Sequence, residues 1–395
     1  VPANRGLHAL HLALAALALA AALAWVLVTW FSRTTPELWQ RDWHCFWTVG
    51  GSYLRGVREG LYAEPCKPGY FWLYPPYVVY PWAALALLPA GYAYLLVSAA
   101  STLAFLVSLA FLRRTLCWDR PFVTIFLAST GSAAFNAVLV TGQHTMWLLL
   151  GACGGLWALR ERRDALAGGF LALFGIKPNW AIFFALWLLV TGRRRALGVM
   201  VLAGAGLVLT TAPMGPSVWH AYLTVSSTRL EVLLGLDAGS GSYPSFKLIT
   251  AEAFLRSVGL ASGGPALGWS ALAAIALCVA ASVFVWSRVR DARVQIAITV
   301  LACVAANPYV EFYDALVLVV PAATWWAAPG SYPGRTGLVV AFAAISIWLV
   351  QWISLYLWKA PGQPSLVGGL LLIWIAAETV RAARAREPAD PGLLP

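Results

Sequence analysis

The sequence predicts an all-α polytopic membrane protein, and three observations carry that prediction. Of the 395 residues, 61% are hydrophobic and 11% charged, too apolar a balance for a water-soluble domain and too long a chain for one anchor. Apolar stretches recur along the whole chain, and inside a bilayer Leu- and Ala-rich runs satisfy their backbone polar groups as helices. The arginines gather in short connections between those stretches, the pattern of cytoplasmic loops. One transmembrane domain over residues 1–395 is expected.

The first apolar run, Leu7 to Phe31, follows a single Arg5 and lacks a small-residue cleavage site, which predicts a retained first span. Further spans are expected at Tyr92 to Leu112, Pro121 to Val140, His144 to Leu159, Leu197 to Thr211, Ala266 to Trp286, Val294 to Ala306, Ala315 to Trp326, Leu338 to Leu357 and Leu366 to Val380. The clusters Arg113-Arg114 with Arg120, Arg160 with Arg162-Arg163, Arg193 to Arg195, Arg288 with Arg290 and Arg293, and Arg381 with Arg384 and Arg386 then belong on the cytoplasmic side. The run Leu166 to Val190 is the exception, because basic clusters flank both of its ends and Lys177-Pro178 stands at its middle. A single crossing would split the clusters between the two sides and bury a charge in lipid. Two short helices meeting at Lys177-Pro178 near the external side remove both conflicts, since proline ends a helix and the lysine leaves the hydrocarbon. Both termini are then cytoplasmic, and the architecture is about ten full transmembrane helices plus two half-length ones.

The net charge of +11 is accounted for by these arginines against anionic headgroups, and no aromatic-interleaved basic stripe points to nucleic acid. No metal-ligand spacing, phosphate-cradling glycine loop or nucleophile elbow is present, so neither a metal nor a cofactor is expected. Cys153, Cys278 and Cys303 fall in or near spans and Cys117 on the cytoplasmic side. Cys45 and Cys66 share the first external loop, where a disulfide is chemically open to them.

Most of the polar material lies in the external regions 32–90 and 214–265, whose length suggests a site on that face. Arg41-Asp42-Trp43-His44-Cys45-Phe46-Trp47 places a carboxylate beside a base, a histidine and aromatics just beyond the first span. Such an aspartate can serve as a general base for a hydroxyl, or the stretch is a solvated loop with interfacial tryptophans. Gly60-Leu61-Tyr62 and Tyr74-Pro75-Pro76 lead into the second span through proline-broken, aromatic-rich chain suited to the headgroup region. Thr141-Gly142-Gln143-His144 is an external turn. With Lys177 it offers groups that bind a phosphate, the lysine as a point charge and the histidine as donor or proton carrier. Ser242 to Lys247 is polar and aromatic enough to line a groove, and Asn307 to Asp314 sets carboxylates near the external boundary.

Taken in order, Asp42 and Phe46, Gly60-Leu61-Tyr62, Tyr74-Pro75-Pro76, Gly142-Gln143, Ile176-Lys177-Pro178, Asn307-Pro308-Tyr309 and Tyr313-Asp314 resemble the motifs of glycosyltransferase family 87. The resemblance covers roughly Arg41 to Asp314. It implies a GT-C type fold and an enzyme that takes a hexose, mannose in the best-known branch, from a polyprenyl phosphate. The sugar passes to a lipid or glycan hydroxyl on the external face of a bacterial plasma membrane. It implies Asp42 as catalytic base with inversion at the anomeric carbon. Lys177, His144, Arg41 and Lys247 become the donor-phosphate candidates, and His44, Tyr62, Tyr74, Gln143, Tyr309, Glu311, Tyr313 and Asp314 the substrate-binding ones. The mannosyltransferase branch carries histidines in the late turn, where this chain has Glu311 to Asp314. The competing readings are a multi-pass transporter or flippase, for which the sequence shows no internal repeat, and an inactive scaffold of an envelope complex.

Overall fold

A computed structural model describes residues 42–58, 60–63, 72–116, 126, 129–130, 132–233, 248–257, 265–307, 309–327, 335–352 and 366–384. The expected first span, Arg41, Cys66, Cys117, Arg120, Ser242 to Lys247 and Arg386 lie outside these residues. The described chain is helical, in the order α1 Asp42–Leu54, α2 Gly60–Ala63, α3 Val79–Leu85, α4 Ala90–Leu116, α5 Ala133–Thr141, α6 Thr145–Arg160, α7 Asp164–Leu171, α8 Pro178–Val190 and α9 Arg194–Thr210. There follow α10 Pro216–Leu233, α11 Ala251–Ser257, α12 Pro265–Arg288, α13 Ala292–Ala306, α14 Val319–Ala327, α15 Arg335–Trp352 and α16 Leu366–Arg384.

Two helices form the centre. Every residue of α13 from Val294 to Ala306 is buried, as is most of α6, and a helix that is apolar all round belongs inside a bundle. Around them pack α4 and α7 against α6, α8 and α14 against α13, and α12 with α16 on the far flank. The outer helices face the other way: α15 exposes Leu338, Phe342, Ile345 and Leu349 at the spacing of one helix face, and α9 exposes Val201, Leu202 and Leu209. Stripes of that kind fit hydrocarbon better than water.

Three described helical segments, Ala90–Leu116, Arg194–Met214 and Leu366–Arg384, are long and apolar enough to cross a membrane. Other apolar helices, among them Pro178–Val190, Ala292–Ala306 and Thr336–Gln351, are shorter.

The break at Lys177 has the expected form. After α7 the chain tightens into a 3₁₀ turn, Ala172–Ile176, and Lys177 leaves helical geometry (φ −124, ψ 87) to cap α8, whose first residue is Pro178. Proline suits a first helical position, where its missing N–H is not needed. The two arms return to one end, for Arg193 after α8 reaches Asp164 at the start of α7 at 4.0 Å. At that same end Arg160 donates to the carbonyls of Arg114 and Thr115. The Arg113-Arg114, Arg160 and Arg193 clusters therefore share one end of the bundle, and Lys177 and the start of α6 lie at the other. With about 1.5 Å of rise per residue, α6 alone separates these ends by roughly 24 Å.

The segment Asp42 to Leu54, expected as loop, is helix α1, whose first turn carries Asp42 where a carboxylate complements unpaired N–H groups. It fits tightly at two glycines. A Cβ on Gly50 would stand 2.3 Å from the Trp82 carbonyl oxygen of α3, and one on Gly142 would stand 2.5 Å from Cβ of Trp43. Gly142 also has φ +69, a left-handed value that side chains resist, and it closes α5 by donating to Val138 O at 2.9 Å. This clasp registers α1 on the turn between α5 and α6. Gly142→Ala is expected to cost about 1–3 kcal/mol through overpacking and backbone strain. A thermal melt in detergent checks it, and an unchanged midpoint would remove the clasp from the account.

Candidate active site

The site is built where α1, the turn before α6, the hairpin tip and the chain after α13 meet. Asp42 Oδ2 accepts from Gln143 Nε2 at 2.7 Å, and Gln143 Oε1 accepts from the Tyr74 hydroxyl at 2.6 Å. Behind them the Tyr62 hydroxyl donates to the Tyr74 carbonyl at 2.8 Å, so Tyr62 holds the backbone on which Tyr74 stands. Burial raises the Tyr74 phenol well above its ordinary range, and the acidic groups of Asp314, Tyr309, Asp42 and Glu311 add to that effect. Tyr74 is thus a fixed neutral donor, and the three carboxylates expected at the site, from two parts of the chain, lie within its electrostatic reach.

An aromatic box stands beside this trio. The Phe46 ring centroid lies 5.5 Å from Trp72, 5.4 Å from Tyr74, 4.9 Å from Trp82 and 5.2 Å from His144. His144 precedes α6 and its Nε2 accepts from Trp82 Nε1 at 3.1 Å, which puts the proton of the neutral ring on Nδ1. Burial pushes the imidazole down to about 3, with the Lys177 charge adding to the shift. At neutral pH His144 is therefore an uncharged ring, and any phosphate bond it makes is that of a neutral donor rather than a cation.

Lys177 is buried at the hairpin tip and grips Asp314, with Nζ at 2.7 Å from Oδ1 and 2.6 Å from Oδ2. The lysine is 6% exposed and the aspartate 0%. Asp314 also accepts from Thr145 Oγ1 at 2.9 Å and from the Glu311 N–H at 3.3 Å. The Tyr313 and Trp180 rings stand 5.2 and 5.9 Å from Nζ, near enough for cation–π contact. A carboxylate so enclosed by donors is poorly placed to act as a base. Its evident work is to hold the lysine.

The late turn is itself anchored. The Tyr309 N–H donates to Asn307 Oδ1 at 3.0 Å, Ile249 N–H donates to Val310 O at 3.1 Å, and Leu248 bridges Glu311 in antiparallel fashion. The region 214–265 thereby touches the site through residues that directly follow Lys247. His44 stacks on Trp47 at 5.7 Å, two positions along α1 from Asp42 and so roughly 200° around the helix. Cys45, buried in α1, is disulfide-bonded, its partner falling outside the described residues. Among the described residues no group of three or more His, Cys, Asp or Glu could hold a metal ion.

Of the expected residues, Asp42, Tyr74, Gln143, Lys177, Glu311, Tyr313 and Asp314 are brought together with Tyr309, and Tyr62 supports them from behind. The sequence reading missed Thr145 and the partnership of Trp82 with His144. Thr145 carried one signal, a hydroxyl at the first position of an otherwise apolar helix.

The model of glycosyltransferase family 87 matches residues 72–310, more than half of the chain. The chain belongs to glycosyltransferase family 87. It is therefore a membrane glycosyltransferase with a sugar donor and an acceptor as its substrates, and the transporter and scaffold readings fall away. No curated protein and no solved structure matches it.

Two outcomes follow for this glycosyltransferase. Breaking a buried ion pair strands the surviving charge at a cost of about 3–5 kcal/mol, whereas replacing both partners by apolar groups is far milder. Asp314→Ala is accordingly expected to unfold at markedly lower temperature than Lys177→Met/Asp314→Leu, and a double variant less stable than the single would contradict it.

The second concerns pH. His144 has a folded value near 3 against an ordinary 6.5, so below 6.5 the unfolded chain takes up a proton that the folded one refuses. Its contribution is complete above 6.5 and is lost as pH falls, at up to about 1.4 kcal/mol per unit. His144→Asn should therefore show a shallower decline of melting temperature between about pH 6 and pH 4 than the parent.

Proposed function

We propose that this enzyme transfers a hexose, with mannose the first candidate, from a polyprenyl phosphate to a hydroxyl of a lipid or glycan on the external face of a bacterial plasma membrane. Asp42 takes the acceptor proton while the acceptor oxygen attacks the anomeric carbon. The bond from that carbon to the phosphate oxygen breaks, its electrons leave with the polyprenyl phosphate, and the configuration inverts. The observation that carries this reading is the contrast among the site's carboxylates. Asp314 and Glu311 are 0% and 6% exposed, whereas Asp42 is half-buried at the head of α1, where an incoming hydroxyl can meet it.

The leaving phosphate needs donors as its charge grows. Lys177 has three N–H groups, two of them on Asp314, so it offers the remaining one as a hydrogen-bond donor. Arg41, next to Asp42, and Lys247, next to the Leu248–Glu311 bridge, are the candidates for net positive charge. A hydrocarbon tail on the donor suits the apolar cavity of about 320 Å³ whose lining includes Ala315 and Leu316, which follow Asp314 in the chain, with Trp348 and Trp374. The arginine clusters at the opposite end of the bundle fit a cytoplasmic placement. A disulfide at Cys45 fits an oxidising exterior. The reading includes a GT-C architecture of about ten full spans and the two half-length helices that meet at Lys177.

The test is transfer of radiolabel from polyprenyl-phosphate mannose to native lipids by the enzyme in nanodiscs. Asp42→Asn, nearly isosteric, should lower the rate by about 10²–10⁴. Label transferred at the parent rate by this variant would remove Asp42 as the base.

A further inference from the structure

Gln143 is an amide with only one workable orientation. The Tyr74 phenol, kept protonated by its burial, donates to Oε1 at 2.6 Å, and this turns Nε2 onto Asp42 Oδ2 at 2.7 Å. Reversing the amide would set its oxygen against a carboxylate oxygen and take the acceptor away from the phenol. Both neighbours are themselves fixed, since Tyr62 pins the Tyr74 backbone and the Gly142–Trp43 contact holds the turn against α1. Gln143 is buried, and the bond it makes to Asp42 spans 101 positions of chain.

We propose that Gln143 is a positioning residue for glycosyl transfer: its amide, oriented by Tyr74, holds the Asp42 carboxylate at the angle from which it receives the acceptor proton. The proposal rests on the reading of Asp42 as base, and Gln143 acts only through that residue. A charge-assisted bond from a buried, oriented amide to one carboxylate oxygen restricts rotation about the aspartate's side-chain bonds. The choice of an amide also matters. Gln143 offers a neutral donor, in contrast to the cation that Asp314 holds, so its bond orders the carboxylate without adding a charge. Among the described residues, the other titratable groups about the trio include Tyr62 behind Tyr74, His44 on α1, Tyr309, Glu311 and Asp314 from the late turn, Lys177 on Asp314 and the neutral His144, with Arg41 outside the described residues.

The test uses the full chain in nanodiscs, with native lipids as acceptor and, as donor, the polyprenyl-phosphate sugar fraction of native membranes labelled by growth on radioactive sugar. That donor does not presuppose mannose. Gln143→Leu should lower kcat about tenfold with the donor KM held within about twofold. It should also move the acidic limb of the pH–rate profile to higher pH, because a bond that favours the charged base is gone. Tyr74→Phe should act in the same direction but less, about threefold, and the double variant should be no slower than Gln143→Leu, as expected if Tyr74 works through Gln143. An unmoved acidic limb, a loss confined to KM, or single losses that multiply in the double would each overturn the proposal. Should Gln143→Leu elute as aggregate, Tyr74→Phe, which deletes only a hydroxyl, decides alone by whether its acidic limb moves. Full activity in Asp42→Asn would sink the base assignment itself, whereas an inactive Asp42→Asn beside an unmoved limb would sink the positioning role alone.

Discussion

The constraint on which the site depends is the buried charge of Lys177. A lysine at the tip of a half-length hairpin, 6% exposed, is tolerable only with an opposite charge and hydrogen bonds around it. Asp314 supplies both, from a position 137 residues further along the chain. That requirement draws the late turn down onto the hairpin and fixes Tyr313 over the ammonium group. Once the turn is there, its backbone pairs with Ile249 and Leu248, which brings that part of the region 214–265 to the same place. One unfavourable burial thus organises three distant segments.

The turn before α6 does the rest. Three successive residues each reach a different part of the molecule: Gln143 to Asp42 and Tyr74, His144 to Trp82, and Thr145 to Asp314. The turn can do so because Gly142 takes a left-handed conformation and leaves no Cβ against Trp43. The Asp42 side and the lysine side of the site are in this way joined through one short piece of backbone capping a buried helix. A displacement of that helix end would disturb both at once, which argues for the rigidity given to α6 by its nearly complete burial.

How much of this was legible in the sequence follows from the range of each interaction. The hairpin was legible because charge alternation along the chain is a topological rule, and a Lys-Pro pair between two basic clusters satisfies it in only one way. The three long helices were legible from hydropathy. Asp42 stands out in the sequence as a candidate, but the helix it begins reads as loop, since Trp43 to Trp47 shows no clear amphipathic period and its burial is set by tertiary packing against α3 and the turn. Lys177 and Asp314 were each singled out for substrate, yet their pairing was invisible, as no local pattern records a contact across 137 residues. The same holds for Gln143 and Asp42. His144 reads from its residue type as donor or proton carrier, whereas the aromatic box that keeps it a neutral donor comes from chain 98 to 62 positions away.

The electrostatics then bear on how such a site can meet a phosphate. Among the described residues, Asp42, Glu311 and Asp314 stand around Tyr74, and Lys177 is paired with Asp314. A lysine buried alone would be expensive to keep charged, and Asp314 is what lets the ammonium persist at that depth. The pair consequently acts as an oriented dipole with a strong donor at its positive end. Preorganised dipoles of that kind favour charge that develops during reaction over charge already present, because they need no rearrangement when it appears. A phosphodiester donor carries one negative charge before transfer and its phosphate gains more as the sugar leaves. On the proposed polyprenyl-phosphate reading, an oriented lysine paired with Asp314 is suited to that increase, and Arg41 and Lys247, next in sequence to Asp42 and to the Leu248–Glu311 bridge, are the candidates for net positive charge.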